Sequence, residues 1–93
     1  MYVVHAAIKM KPGRQEAAQS VFKGPFRAAI SAQPGFKGVE FLKPLDDGQY
    51  LLAILFESKT LQQNWVATEL HTHVWSQMEA NFENYTIRTY DTI

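Results

Sequence analysis

The pattern of residues predicts an α+β domain of ferredoxin-like order, β-α-β-β-α-β, with one antiparallel four-stranded sheet. Three observations predict it. Four segments alternate or run apolar at strand length, at positions 2–10, 36–43, 50–56 and 84–93. Two stretches between them carry apolar residues at helical spacing. A Pro44-Leu45-Asp46-Asp47-Gly48 turn, built on Asp-Gly, joins the second and third strands into a hairpin.

Each element has its own signal. In the first strand Tyr2, Val4, Ala6, Ile8 and Met10 share one face and Val3, His5, Ala7 and Lys9 the other. Lys11-Pro12-Gly13 stops it. A helical stripe then runs through positions 17, 18, 21, 22, 26, 29 and 30, and Pro34-Gly35 ends it. Gly24-Pro25 interrupts that stripe and predicts a kink, or a break with Pro25 restarting the helix at its first position. After the third strand, Ser58 reads as the N-cap of a short helix through Trp65. Thr68 reads as the N-cap of a helix from Glu69 to about Phe82, with a stripe of Leu70, His71, Val74, Trp75, Met78 and Phe82. The last strand alternates to the end of the sequence.

Composition bounds the function. The 93 residues form one domain, 1–93, without linker, repeat or low-complexity stretch. Nine Lys+Arg balance nine Asp+Glu, so the basic patch that nucleic acid or an acidic membrane surface requires is not indicated. The longest apolar run, Tyr50 to Phe56, is seven residues, against the roughly 20 of a membrane helix. No charged-then-apolar leader opens the sequence, so a cytoplasmic location is the expectation. With no cysteine there is neither a disulfide framework nor a thiolate nucleophile or ligand. The third strand is apolar on both faces, unlike a half-solvated antiparallel strand. Two helical layers on one side cannot cover the second face, so a homodimer with sheets packed face to face is expected.

Several short motifs resemble a known family. Pro34-Gly35-Phe36-Lys37-Gly38-Val39-Glu40-Phe41-Leu42 is similar to its "PGF.G.E" second strand. Phe56-Glu57-Ser58 is similar to its "WES", with Phe56 in place of the Trp, and Trp65, His71 and Trp75 match a Trp-x5-His-x3-Trp helical pattern. On these residues the sequence resembles the antibiotic biosynthesis monooxygenase superfamily. The resemblance implies a dimeric α/β barrel, each subunit with a pocket between helices and sheet. It also implies one of three functions: cofactor-independent oxygenation of quinol or polyketide-like aromatics, oxidative haem degradation, or no catalysis. Haem-degrading members use an Asn on the first strand, a Trp on the short helix and a His late in the next helix. Here Trp65 matches, Ala6 stands at the Asn position, and the haem-ligand position falls on Val74 or Trp75, with His71 and His73 a turn or less away.

The leading expectation is a monooxygenase that needs no cofactor and binds a small planar aromatic. The alternatives are a haem-binding or haem-degrading monooxygenase and a non-catalytic homodimeric binding protein. His71, on the apolar stripe, is the candidate catalytic base, because an imidazole titrates near neutral pH; its other reading is a hydrogen-bonded residue at a pocket edge. Trp65, Trp75, Phe22, Ala6 and Asn64 are the candidate substrate-binding residues. The two tryptophans read either as stacking walls or as core, and Asn64 either as a carbonyl-orienting amide or as an exposed helix residue. His71 and His73, two apart on a helix, point about 200° apart and cannot share a metal ion. His5 faces away from Ala6, and Arg88 with Asp91 reads as a surface pair or a contact between copies. No Gly-rich phosphate loop, Ser-His-Asp set or paired inward carboxylates appear, which disfavours dinucleotide binding and hydrolase chemistry.

Overall fold

The alternating segments form strands β1 (Tyr2–Met10), β2 (Phe36–Leu42), β3 (Tyr50–Phe56) and β4 (Phe82–Asp91) in a computed structural model describing residues 1–93. The sheet order is β2-β3-β1-β4, antiparallel throughout, which is the ferredoxin-like arrangement. β1 lies second from one edge, with Ala6 opposite Leu52 of β3 and Ile87 of β4. Its even-numbered residues Val4, Ala6, Ile8 and Met10 are buried, and so are Tyr50, Leu52, Ile54 and Phe56 of β3. All of them face the helices, so the core lies between sheet and helices.

The first helical stretch is continuous. α1 (Gln15–Val21) passes through a π-helical segment, Phe22–Phe26, into α2 (Arg27–Ser31). The predicted break at Gly24-Pro25 is therefore absent. The wider turn eases the clash that a proline ring makes in an α-helix, and the Arg27 N–H donates to the Phe22 carbonyl five residues back. Ala18, Phe22, Phe26, Ala29 and Ile30 are buried along it.

α3 (Lys59–Val66) and α4 (Glu69–Glu79) begin at the predicted caps. Ser58 Oγ accepts from the Leu61 N–H at 3.2 Å, and Thr68 Oγ1 from the His71 N–H at 3.0 Å. α4 ends earlier than its stripe suggests: Phe82 opens β4 instead of closing the helix, and Leu70 stays 46% exposed. Asn81 sets that end. It is the one buried polar residue, and its amide donates to the carbonyls of Gln77 (3.1 Å) and Met78 (3.4 Å). Its Oδ1 accepts from Arg14 Nε at 3.1 Å, and its backbone carbonyl from the Lys11 N–H at 2.9 Å. One side chain thus satisfies the last helical carbonyls and ties α4 to the β1–α1 turn.

Gly35, at φ +80°, is where the chain leaves α2 for β2, and a Cβ there would sit 2.5 Å from Leu61 Cδ1. The position needs glycine both for its backbone and for the close seat of α3.

The second sheet face is bare. Val3, Ala7, Leu51, Ala53 and Leu55 are only partly buried there, with the His5 and Tyr90 rings tilted 5.2 Å apart. Arg88 and Asp91 do not pair. Three residues apart on a strand, they point to opposite faces, and the one ion pair of the chain is Lys9–Glu83 at 3.7 Å.

Candidate functional site

A cavity of about 260 Å³ lies between the helices and the sheet, and ten of its thirteen lining residues are hydrophobic. β1 explains why it forms where it does. Along the buried face of that strand Tyr2 and the short side chains of Val4 and Ala6 line the cavity, whereas Ile8 and Met10 fill the layer beyond it. Leu52 and Ile54 of β3 continue the floor. Phe26, Trp65, His71 and Trp75 form the roof, and the exposed residues Val66, Ile87 and Thr89 mark its mouth.

The roof is an aromatic array. The Trp65 ring stands edge-on to His71, with centroids 5.0 Å apart at 88°, and Trp75 lies nearly parallel to His71 at 6.2 Å and 12°. Trp75 is itself held by Phe26 (6.2 Å), Phe82 (5.7 Å) and Tyr85 (5.4 Å). Edge-to-face and offset arrangements of this kind are the favourable ones for aromatic rings. Trp65 is 2% exposed, and so serves as core and cavity wall together.

Thr68 fixes the two ends of this array. Its hydroxyl donates to the Trp65 carbonyl at 2.8 Å while accepting from the His71 N–H. The loop between α3 and α4 therefore sets the spacing between the buried indole and the imidazole. Burial pushes His71 below its ordinary value of 6.5, so the ring is neutral at neutral pH. No carboxylate pairs with it, and the imidazole is free to bond a ligand.

Of the residues singled out from the sequence, Ala6, Trp65, His71 and Trp75 meet on this cavity. Phe22 does not: it packs against Phe41 at 5.3 Å on the β2 side, and Phe26, one turn on, takes the cavity wall. Asn64 is exposed on α3, away from the cavity. His73 is exposed too, with its Nε2 3.3 Å from Gln77 Nε2. Two polar lining residues were missed, Gln62 and Thr89. Gln62 lies one helical turn before Trp65 and could have been found by that spacing; Thr89 follows from alternation, sharing the face of Ala6 through its pairing with Val4. No three His, Asp or Glu side chains come together as a metal site.

The fold is thus a ferredoxin-like α+β domain with one aromatic-roofed apolar cavity under its helices. The family model for antibiotic biosynthesis monooxygenase matches residues 1–76. The chain belongs to that family.

Solved structures share the fold along nearly the whole chain. SnoaB, a cofactor-independent oxygenase from Streptomyces nogalater, is similar at a TM-score of 0.85 and 15% identity, over 98% of this chain and 91% of that one. A candidate antibiotic biosynthesis monooxygenase from Caulobacter crescentus is similar at 0.85 and 17%, over 99% and 89%. A variant of MhuD, solved with two manganese protoporphyrin IX molecules per active site, is similar at 0.82 and 21%, over 100% and 95%. No curated protein matches the sequence.

Proposed function

We propose that this protein is a cofactor-independent monooxygenase that takes a small planar aromatic, a quinol or polyketide-like phenol, into the cavity beside Trp65 and His71. The observation that carries this reading is a single neutral imidazole on the wall of an otherwise apolar, aromatic cavity. Trp65 and Trp75 offer flat surfaces for a planar ring. Gln62 and Thr89 offer hydrogen bonds to its oxygens.

The chemistry asks for a base and a dry pocket. His71 accepts the phenolic or enolic proton, and the apolar walls leave the resulting anion poorly solvated and electron-rich. The anion reduces dioxygen. One oxygen atom enters the substrate at a ring C–H ortho or para to the phenolic oxygen, giving a quinone, and the other leaves as water with the phenolic hydrogen and the ring hydrogen. Oxygen consumption with hydroquinones and polycyclic phenols tests the activity. His71→Ala is expected to lower kcat by about 10²- to 10⁴-fold with substrate binding changed only a few-fold. An unchanged kcat removes His71 from the mechanism.

The residues present do not fit haem. No Lys or Arg lines the cavity to meet propionates, Ala6 supplies no donor, and about 260 Å³ is small for a macrocycle. Titration with hemin is expected to give no Soret shift and no bilin-like product.

The bare apolar sheet face supports a homodimer, with a second copy covering Val3, Ala7, Leu51, Ala53 and Leu55. Light scattering at micromolar concentration is expected to give twice 10.6 kDa, and a monomeric mass overturns the assembly.

A further inference from the structure

A second concavity of about 380 Å³ lies on the far side of the π-helical segment, between it and the edge strand β2. Its chemistry differs from that of the cavity under α3 and α4. The floor is aromatic, made by Phe22, Phe41 and Tyr50, with Phe41 5.3 Å from Phe22 and 5.4 Å from Tyr50. Lys23, Arg27 and Lys43 surround it, against one acid, Glu40. None of the three cations is in an ion pair, and Arg27 instead lies over the Phe22 ring, 5.2 Å from its centre. Three of the chain's nine Lys+Arg thus line one groove with a single carboxylate, Glu40, and Lys43 also borders the neighbouring hollow of Glu16, Asp46 and Asp47.

Tyr50 adds an independent sign. Its side chain is 8% exposed, its hydroxyl makes no hydrogen bond within the chain, and no enclosed polar side-chain atom lacks a partner. The phenol oxygen of an otherwise buried residue therefore reaches the surface, where Tyr50 borders both this groove and the neighbouring hollow.

We propose that this groove binds a small aromatic carboxylate. The ring lies on Phe22, Phe41 and Tyr50. The carboxylate meets the guanidinium fork of Arg27 and the ammonium groups of Lys23 and Lys43, and the Tyr50 hydroxyl donates to it. A free phosphate would leave the aromatic floor unused, and a neutral phenol would leave the three cations unpaired. The site is separate from the monooxygenase reading: the Phe22 and Phe26 rings, 6.1 Å apart, stand between the two hollows, and no residue lines both.

Titration of the ¹⁵N-labelled protein with 2-naphthoate, 2-naphthol and inorganic phosphate tests it by amide shifts. 2-Naphthoate is expected to shift Phe22, Arg27, Phe41 and Lys43 saturably, more weakly at high salt. The Arg27→Gln, Lys43→Gln double variant, checked for an unchanged remaining spectrum, is expected to weaken that binding about tenfold, and Tyr50→Phe to weaken it less. Shifts confined to the Trp65–His71 cavity overturn the proposal, as does unchanged affinity in the double variant. Equal affinity for 2-naphthol or for phosphate at the groove overturns the assigned ligand class. Loss of oxygenase activity in His71→Ala leaves these shifts in place, so the two readings fail separately.

Discussion

The two ends of the layer between helices and sheet are built from the same strands and packed differently. Around Asn81 the layer is solid: Ile8, Ala18 and Met78 are completely buried, and a four-bond polar clamp closes it. Around His71 the same layer is hollow. The difference runs along one strand face: Val4 and Ala6 border the hollow and Ile8 and Met10 do not, while the rigid rings of Trp65 and Trp75 cannot collapse into the gap. A domain this small is thus filled at one end of its core and hollow at the other.

General-base loss in His71→Ala, the largest effect expected, belongs to the hollow end and is predicted to leave the melting of the solid end in place. Next come substitutions that should have opposite outcomes at the two ends. Ile8→Ala is expected to cost about 2–5 kcal/mol in denaturant unfolding, because a filled site becomes a cavity. Ala6→Leu, two residues away on the same face, is expected to change stability by less than about 1 kcal/mol, because the added atoms enter existing space. It should weaken binding of the aromatic ligand at the same time. Equal costs for the pair would mean that the hollow is not a relaxed feature of the fold.

Much of this division is legible in the sequence. Alternation places Val4, Ala6 and Ile8 on one buried face, Ser58 and Thr68 announce the two helices, and the Trp65, His71 and Trp75 spacing puts three rings on one hollow. What pattern misses has physical causes. The Gly24-Pro25 pair reads as a kink or a break because local rules assume α-helical turns, and the π-helical segment absorbs the proline. Phe22 and Phe26 look equivalent at i and i+4, yet four residues rise about 6 Å, enough to carry the first ring over β2 and leave the second over the cavity. Asn81 looks like any polar residue between elements, since its role comes from partners at Lys11, Arg14, Gln77 and Met78 that only the folded chain assembles.

Asn81→Ala sharpens the comparison from the solid end. It removes the hydrogen bonds to Arg14, Gln77 and Met78, and is expected to cost about 1–3 kcal/mol in thermal or denaturant unfolding, with the hollow end's ligand affinity little changed. The smallest effect expected is pH-dependent. The unfolded chain protonates His71 near 6.5, while burial lowers that value in the native state. Below 6.5 the unfolded state binds more protons, so stability falls as pH drops through this region and is fully present above it. His71→Gln should flatten that part of the stability profile. The acid limb of kcat/KM should lie below 6.5 for the same reason.

The π-helical segment also governs tolerance to changes in chain length. One residue corresponds to about 100° of helical rotation. Deleting a residue from α1 or α2 would therefore turn one half of this helix by that angle against the other and carry Ile30 out of register with Ala18. The wide turn holds one residue more than an α-helical turn, so losing Gly24 would bring the Arg27 N–H and the Phe22 carbonyl to α-helical spacing and keep the two halves in register. The middle turn is thus the one stretch of this helix that can give up a residue.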